Sequence, residues 1–123
     1  MRALVADDNP FSAELIHDHL ESLGYSVDCA PDGARAVAMA SSGRYEALVL
    51  DINLPIYDGV EVVRMLRHRP PSRPLRLIIV TADRLASRRA ELSAQGIDGY
   101  LTKPIDLDRL AAVMGPALRA GVA

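Results

Sequence analysis

Hydrophobic and polar residues alternate along this chain in blocks of two kinds. Short, nearly unbroken apolar runs recur at about Arg2–Ala6, Ser26–Ala30, Ala47–Asp51, Arg76–Thr81 and Gly99–Thr102. Runs of this length, rich in Val, Ile and Leu and closed by Asp, Pro or Gly, read as buried strands. Between them lie longer stretches with apolar residues at helical spacing. Asn9 suits an N-cap and Pro10 a first helical position, opening a helix to about Leu23 with Phe11, Leu15, Ile16, Leu20 and Leu23 as its expected apolar stripe. Gly24 stops it. Pro31-Asp32-Gly33 turns into an Ala/Val/Met helix closed by Ser41-Ser42-Gly43, and Asp58 caps a helix carrying Val60, Val63 and Leu66. Arg69-Pro70-Pro71-Ser72-Arg73-Pro74 can only be a surface loop. A weakly patterned fourth helix, about Leu85–Gln95, ends at Gly96, and Asp106 caps a fifth with Ile105 and Leu110 placed as a hydrophobic staple.

Strict alternation of strand and helix predicts an α/β fold, a parallel sheet with helices on both faces joined by right-handed crossovers. In such sheets the site lies at the carboxyl ends of the strands, where strand order reverses. By analogy with a five-stranded order of 2-1-3-4-5, that reversal falls between strands one and three. The reactive residues gather there. Asp7 and Asp8 follow the first strand, Asp51 ends the third, Thr81 ends the fourth, and Lys103 follows the fifth and precedes Pro104. Each alone has a plain structural reading: Asp7-Asp8-Asn9-Pro10 as a helix cap, Thr81 as a strand end. Their common placement points to one composite site. Three neighbouring carboxylates need compensation, which a hard divalent cation such as Mg²⁺ supplies while leaving positions for phosphate oxygens. Lys103 adds a fixed cation and Thr81 a hydroxyl donor, a set suited to phosphoryl transfer onto a carboxylate.

Bulk properties narrow the picture. With 123 residues, residues 1–123 are expected to form a single domain, and half of them are hydrophobic with few aromatics, so the core is aliphatic. The net charge of −2 and pI of about 5.9 argue against a nucleic-acid binder. The many arginines read as a solvated helical face. Cys29 is the single cysteine, which excludes an internal disulfide, and it reads as a packed small residue. Tyr45 and Tyr57 read as surface or packing residues, and His17, His19 and His68 as lacking a metal-ligand arrangement. No signal peptide or membrane span is visible, so a soluble, cytoplasmic protein is expected.

From Ala3 to about Leu118 the chain resembles the receiver domain of bacterial two-component response regulators, a flavodoxin-like (βα)5 family. The resemblance rests on Asp7-Asp8, Asp51 with Leu54-Pro55 and Asp58-Gly59, Thr81-Ala82, and Lys103-Pro104. It implies that Asp51 accepts a phosphoryl group from a histidine kinase, a phosphotransfer protein or a small acyl phosphate. It implies Mg²⁺ (or Mn²⁺) held by Asp8 directly, by Asp7 mainly through water, by Asp51, and by the backbone carbonyl of Asn53. Thr81 and Lys103 would bind phosphoryl oxygens, and the Lys103–Pro104 peptide would be cis. Tyr100 would turn inward as Thr81 moves, altering a surface near Arg84, Arg88, Arg89, Tyr100 and Asp106 on helix four, strand five and helix five that a downstream protein or output domain reads. Asn53 and Asp83 fall where dephosphorylation is tuned. Tyr57 stands where many members have Met. The resemblance implies a switch, not an enzyme beyond its own phosphorylation and dephosphorylation. The alternative is a receiver from a phosphorelay or hybrid kinase. An aspartyl-phosphate hydrolase of the haloacid dehalogenase type is disfavoured: Asp7-Asp8-Asn9 is not its Asp-x-Asp, and the chain has no room for a cap domain.

Overall fold

The computed structural model describes residues 1–82 and 86–115, the side chains of residues 86–88 excepted. Asp83, Arg84, Leu85, the side chain of Arg88 and the stretch to Leu118 therefore lie outside the described residues. The elements run β1 (Arg2–Ala6), α1 (Pro10–Ser22), β2 (Ser26–Ala30), α2 (Gly33–Ala40), β3 (Ala47–Leu50), α3 (Gly59–His68), β4 (Arg76–Thr81), α4 (Ala86–Ala94), β5 (Gly99–Thr102) and α5 (Leu107–Met114). The five strands form one parallel sheet in the order β2-β1-β3-β4-β5. In register, Ala6 lies beside Leu50, and Thr81 beside Thr102. Leu50 lies beside Ile79, so β4 and β5 run two residues past β1 and β3, and all the carboxyl ends open on one edge, where residues distant in sequence meet.

Because the sheet is covered on both faces, alternate strand residues feed two cores. Leu4, Leu48, Leu50, Leu77 and Ile79 pack with α2 and α3, while Val5, Val49, Ile78 and Val80 pack with Ile16, Leu20, Leu110 and Met114 of α1 and α5. Asn9 caps α1 through Phe11 and Ser12, and Asp58 and Glu61 form a reciprocal capping box on α3. Ile105 and Leu110 lie in the same core, as the staple requires. At the end of the sheet opposite the strand carboxyl ends, the Tyr25 hydroxyl donates to the carbonyls of Met114 (3.0 Å) and Gly115 (3.1 Å), and Arg76 donates to those of Val113 and Met114. The last turn of α5 is tied down there. No helix among the described residues is long and apolar enough to cross a membrane.

Three expectations change. β3 ends at Leu50, so Asp51 opens the loop, although its N–H still donates to Ala6 (2.9 Å). Phe11 and Leu15 are 83% and 48% exposed, whereas Ile16 and Leu20 are buried. The i, i+4 spacing links Phe11 to Leu15 and Ile16 to Leu20, but at about 100° per residue the two pairs point roughly 140° apart, so they are not one stripe. Cys29 is exposed, not packed, because β2 is an edge strand.

Candidate functional site

Side chains from the loops that follow β1, β3 and β5 meet in one cluster. Asp7 and Asp51 are buried, while Asp8, the next residue after Asp7, points to solvent. Asp7, Asp8 and Asp51 each offer a carboxylate oxygen, all within 4.8 Å of one another. Lys103 reaches in from the β5–α5 loop. Its Nζ lies 3.0 Å from Asp7 Oδ2 and 2.8 Å from Asp51 Oδ2. The outer oxygens are also engaged: Asp7 Oδ1 accepts from the Asn9 N–H (2.9 Å) and Asp51 Oδ1 from the Asn53 N–H (3.0 Å). Both buried carboxylates therefore have a partner on each oxygen, as burial demands. Burial on its own would lower the Lys103 pKa, but the hydrogen bonds and charges of Asp51 and Asp7 outweigh it and hold the ammonium above the ordinary lysine value.

The loops that aim these groups are tightly specified. The Lys103 N–H donates to the Thr81 carbonyl (2.8 Å), fixing the β5–α5 loop beside the end of β4, and the Lys103–Pro104 peptide is cis. Thr81 is fully buried. Gly59 opens α3 against the site loop: a Cβ there would lie 2.7 Å from Ile52 Cα and 2.8 Å from the Asp51 carbonyl oxygen. Sequence reasoning took Asp58 as a helix cap and missed the close approach at Gly59. Tyr57 is half-buried against the core, and Tyr45 is buried with its hydroxyl donating to Asp28 Oδ2 (2.6 Å). Neither joins the cluster.

Away from the strand ends, Tyr100 is half-buried against the core, with the Arg89 guanidinium 4.9 Å from its ring centroid. Helix α3 grips α4 through an Arg64–Glu91 ion pair and through Arg67, which donates to the Gln95 (3.0 Å) and Gly96 carbonyls. No sequence spacing signals those contacts. His17 departs from its reading: half-buried, it lies 3.1 Å from the exposed Asp18 and 3.4 Å from the exposed Glu21, a group that Glu21, four residues on, could have suggested. His19 and His68 belong to no such group among the described residues.

The donor set at the strand ends is three oxygen-bearing anions against one ammonium. That imbalance, with Asp8 open to solvent, fits a hard divalent cation and a phosphate-like ligand better than a soft metal. Residues 3–114 match the response regulator receiver domain family. Among relatives, the response regulator MprA of Mycobacterium avium is 43% identical over 119 residues, covering 97% of this chain and 51% of that protein. The Mycobacterium tuberculosis MprA is 42% identical over the same span. The chain thus spans about half the length of the curated relatives it matches. Among solved structures, the receiver domain of the sensor histidine kinase PA1611 from Pseudomonas aeruginosa, with a magnesium ion in its active site cleft, superposes with a TM-score of 0.82 at 34% identity, covering 92% of this chain and 93% of that one. The receiver domain of the Francisella response regulator 1452 gives 0.82 at 31% identity, with the same coverage.

Proposed function

The chain belongs to the response regulator receiver domain family, and we propose that residues 1–123 work as a single Mg²⁺-dependent switch phosphorylated on Asp51. The observation that carries this reading is the Lys103 ammonium shared between two buried carboxylates, Asp7 and Asp51, beside a third, Asp8, open to solvent. In the reaction, an Asp51 oxygen forms the new O–P bond. The P–N bond of a phosphohistidine, or the P–O bond of an acyl phosphate, breaks. The electron pair leaves with the donor, and a donor imidazole takes up a proton. Lys103 and Thr81 then bind phosphoryl oxygens, Lys103 exchanging carboxylate partners for phosphate ones. Asp7, Asp8, Asp51 and the Asn53 carbonyl would hold the cation, which would supply neutralisation of the negative charge gathered during the transfer.

The switch follows from the same groups. Two charge-assisted hydrogen bonds are worth roughly 1.5–3 kcal/mol each. Near-complete inversion of a two-state equilibrium needs about 5.5 kcal/mol. Thr81 and Lys103 can therefore move the balance without much surplus, and Tyr100, at the edge of the core beside Arg89, is the residue whose position would report it. The phosphodonor is a histidine kinase or phosphotransfer protein, the chain acts in the cytoplasm, and a downstream protein or output domain reads α4, β5 and α5. Beyond its own phosphorylation and dephosphorylation the chain turns over no substrate.

The test is adduct mapping after incubation with acetyl phosphate and Mg²⁺. Wild type is expected to carry one phosphoryl group on Asp51, and Asp51→Asn none. Full labelling of the variant would remove Asp51 from the role.

A further inference from the structure

Between α2 and α3, on the flank of the domain away from the strand ends, runs a groove of about 790 Å³. Its apolar lining comes from Val37, Met65 and Pro70, and its polar rim from the cations Arg64 and Arg69 and from His68. Met65 is 38% exposed, one of few large apolar side chains left to solvent. The charge around it is one-sided. Arg64, His68 and Arg69 line the groove and no aspartate or glutamate does, although the whole protein is net negative. Arg64 is paired with Glu91 of α4 and Arg67 is committed to the carbonyls ending α4, but Arg69 and His68 make no side-chain ion pair among the described residues.

A solvated basic face would explain the arginines alone. It does not explain an apolar trough beneath them, where exposed methionine and proline go uncovered. A nucleic-acid strand would use the cations but needs stacking aromatics, and none lines the groove. Apolar side chains flanked by carboxylates satisfy both features, and a groove between two helices is the shape into which an amphipathic helix lays its apolar stripe. We propose that the α2–α3 groove is a docking site for an acidic amphipathic helix of a partner protein, its apolar stripe on Met65, Val37 and Pro70 and its carboxylates on Arg69 and the neighbouring cations. This surface is separate from the phosphorylation site and does not depend on it.

The probe is a short synthetic helical peptide with a leucine stripe flanked by glutamates, titrated into the ¹⁵N-labelled protein and followed by NMR. The Glu/Leu peptide is expected to shift the amides of Val37, Ser41, Met65 and His68, and to bind about tenfold more tightly than a Lys/Leu or a Glu/Ala version, a difference of about 1.4 kcal/mol. Its binding should weaken about tenfold in Arg69→Glu and in Met65→Ser, two exposed positions, with thermal melting showing both variants folded. Equal binding by the control peptides, shifts located elsewhere, undiminished binding by both folded variants, or stronger shifts of the same amides by a single-stranded oligonucleotide or by phosphatidylglycerol vesicles would each overturn the proposal.

Discussion

Replacing Lys103 with Met keeps the side-chain stem and removes the only cation that touches the buried acids among the described residues. The loss can be sized. Nζ makes two charge-assisted bonds, 3.0 Å to Asp7 and 2.8 Å to Asp51, and the two acidic side chains are only 2% and 7% exposed. Breaking a buried pair by removing one partner costs roughly 3–5 kcal/mol. The Lys103 side chain is itself 21% exposed, so water reaches the cluster and the cost falls to about 2–4 kcal/mol. Unfolding entropy of about 2.1 cal/mol/K per residue gives roughly 0.26 kcal/mol/K for 123 residues, so the metal-free variant should melt about 8–15 °C below wild type. Mg²⁺ at a hundredfold its Kd adds about 2.7 kcal/mol and should recover much of the loss. The assay is calorimetric melting at neutral pH with and without Mg²⁺, extended to Asp51→Asn and the double variant. Removing one acid should relieve the Lys103→Met defect, a non-additivity that a double-mutant cycle reads directly. If metal-free Lys103→Met melts with wild type, and Mg²⁺ stabilises both equally, Lys103 is not electrostatically coupled to the acids.

Other outcomes follow from the same geometry. Asp8→Ala should weaken Mg²⁺ binding at least about tenfold by titration calorimetry, since even outer-shell changes at metal sites cost that much; unchanged affinity would place the cation elsewhere. Gly59→Ala should destabilise by roughly 1–3 kcal/mol in denaturant melts and slow acetyl phosphate labelling, because its Cβ meets the backbone of Ile52 and Asp51 and no flexible side chain can yield. Hydrogen bonds from Tyr45 and then Arg2 hold the Asp28 carboxyl below its ordinary value. A depressed folded-state pKa gives stability that is complete above the unfolded value and is lost as pH falls through the folded one. The gap between wild type and Asp28→Asn in denaturant melts should therefore be full at neutral pH and close in acid; a gap independent of pH would mean Asp28 acts by shape alone.

The strand-end cluster was legible because it needs only two facts, where apolar runs stop and that alternation makes the sheet parallel. Asp7, Thr81 and Lys103 lie where that reading predicts, Asp51 lies one residue past the end of β3 and not within it, and Asp8 follows Asp7 in the same loop. Contacts set by the packing of distant segments were not legible. Nothing near Arg67 announces that it donates to carbonyls 28 and 29 residues away. Phe11 and Leu15 illustrate a different loss: pairwise spacing was satisfied while the summed angle was not. Cys29 failed because burial of a strand residue depends on whether its strand lies at the edge, which is a property of the sheet.

The anchoring of α5 by Tyr25 and Arg76 has a mechanical meaning. One end of this helix is clamped to the far end of the sheet, while its first turn begins at Leu107, four residues beyond Lys103. A rod pinned at its foot cannot slide when its head is pushed. A displacement of the Lys103 loop that reached α5 would therefore act as a tilt about the Met114–Gly115 end, largest at the first turn and smallest at the clamp.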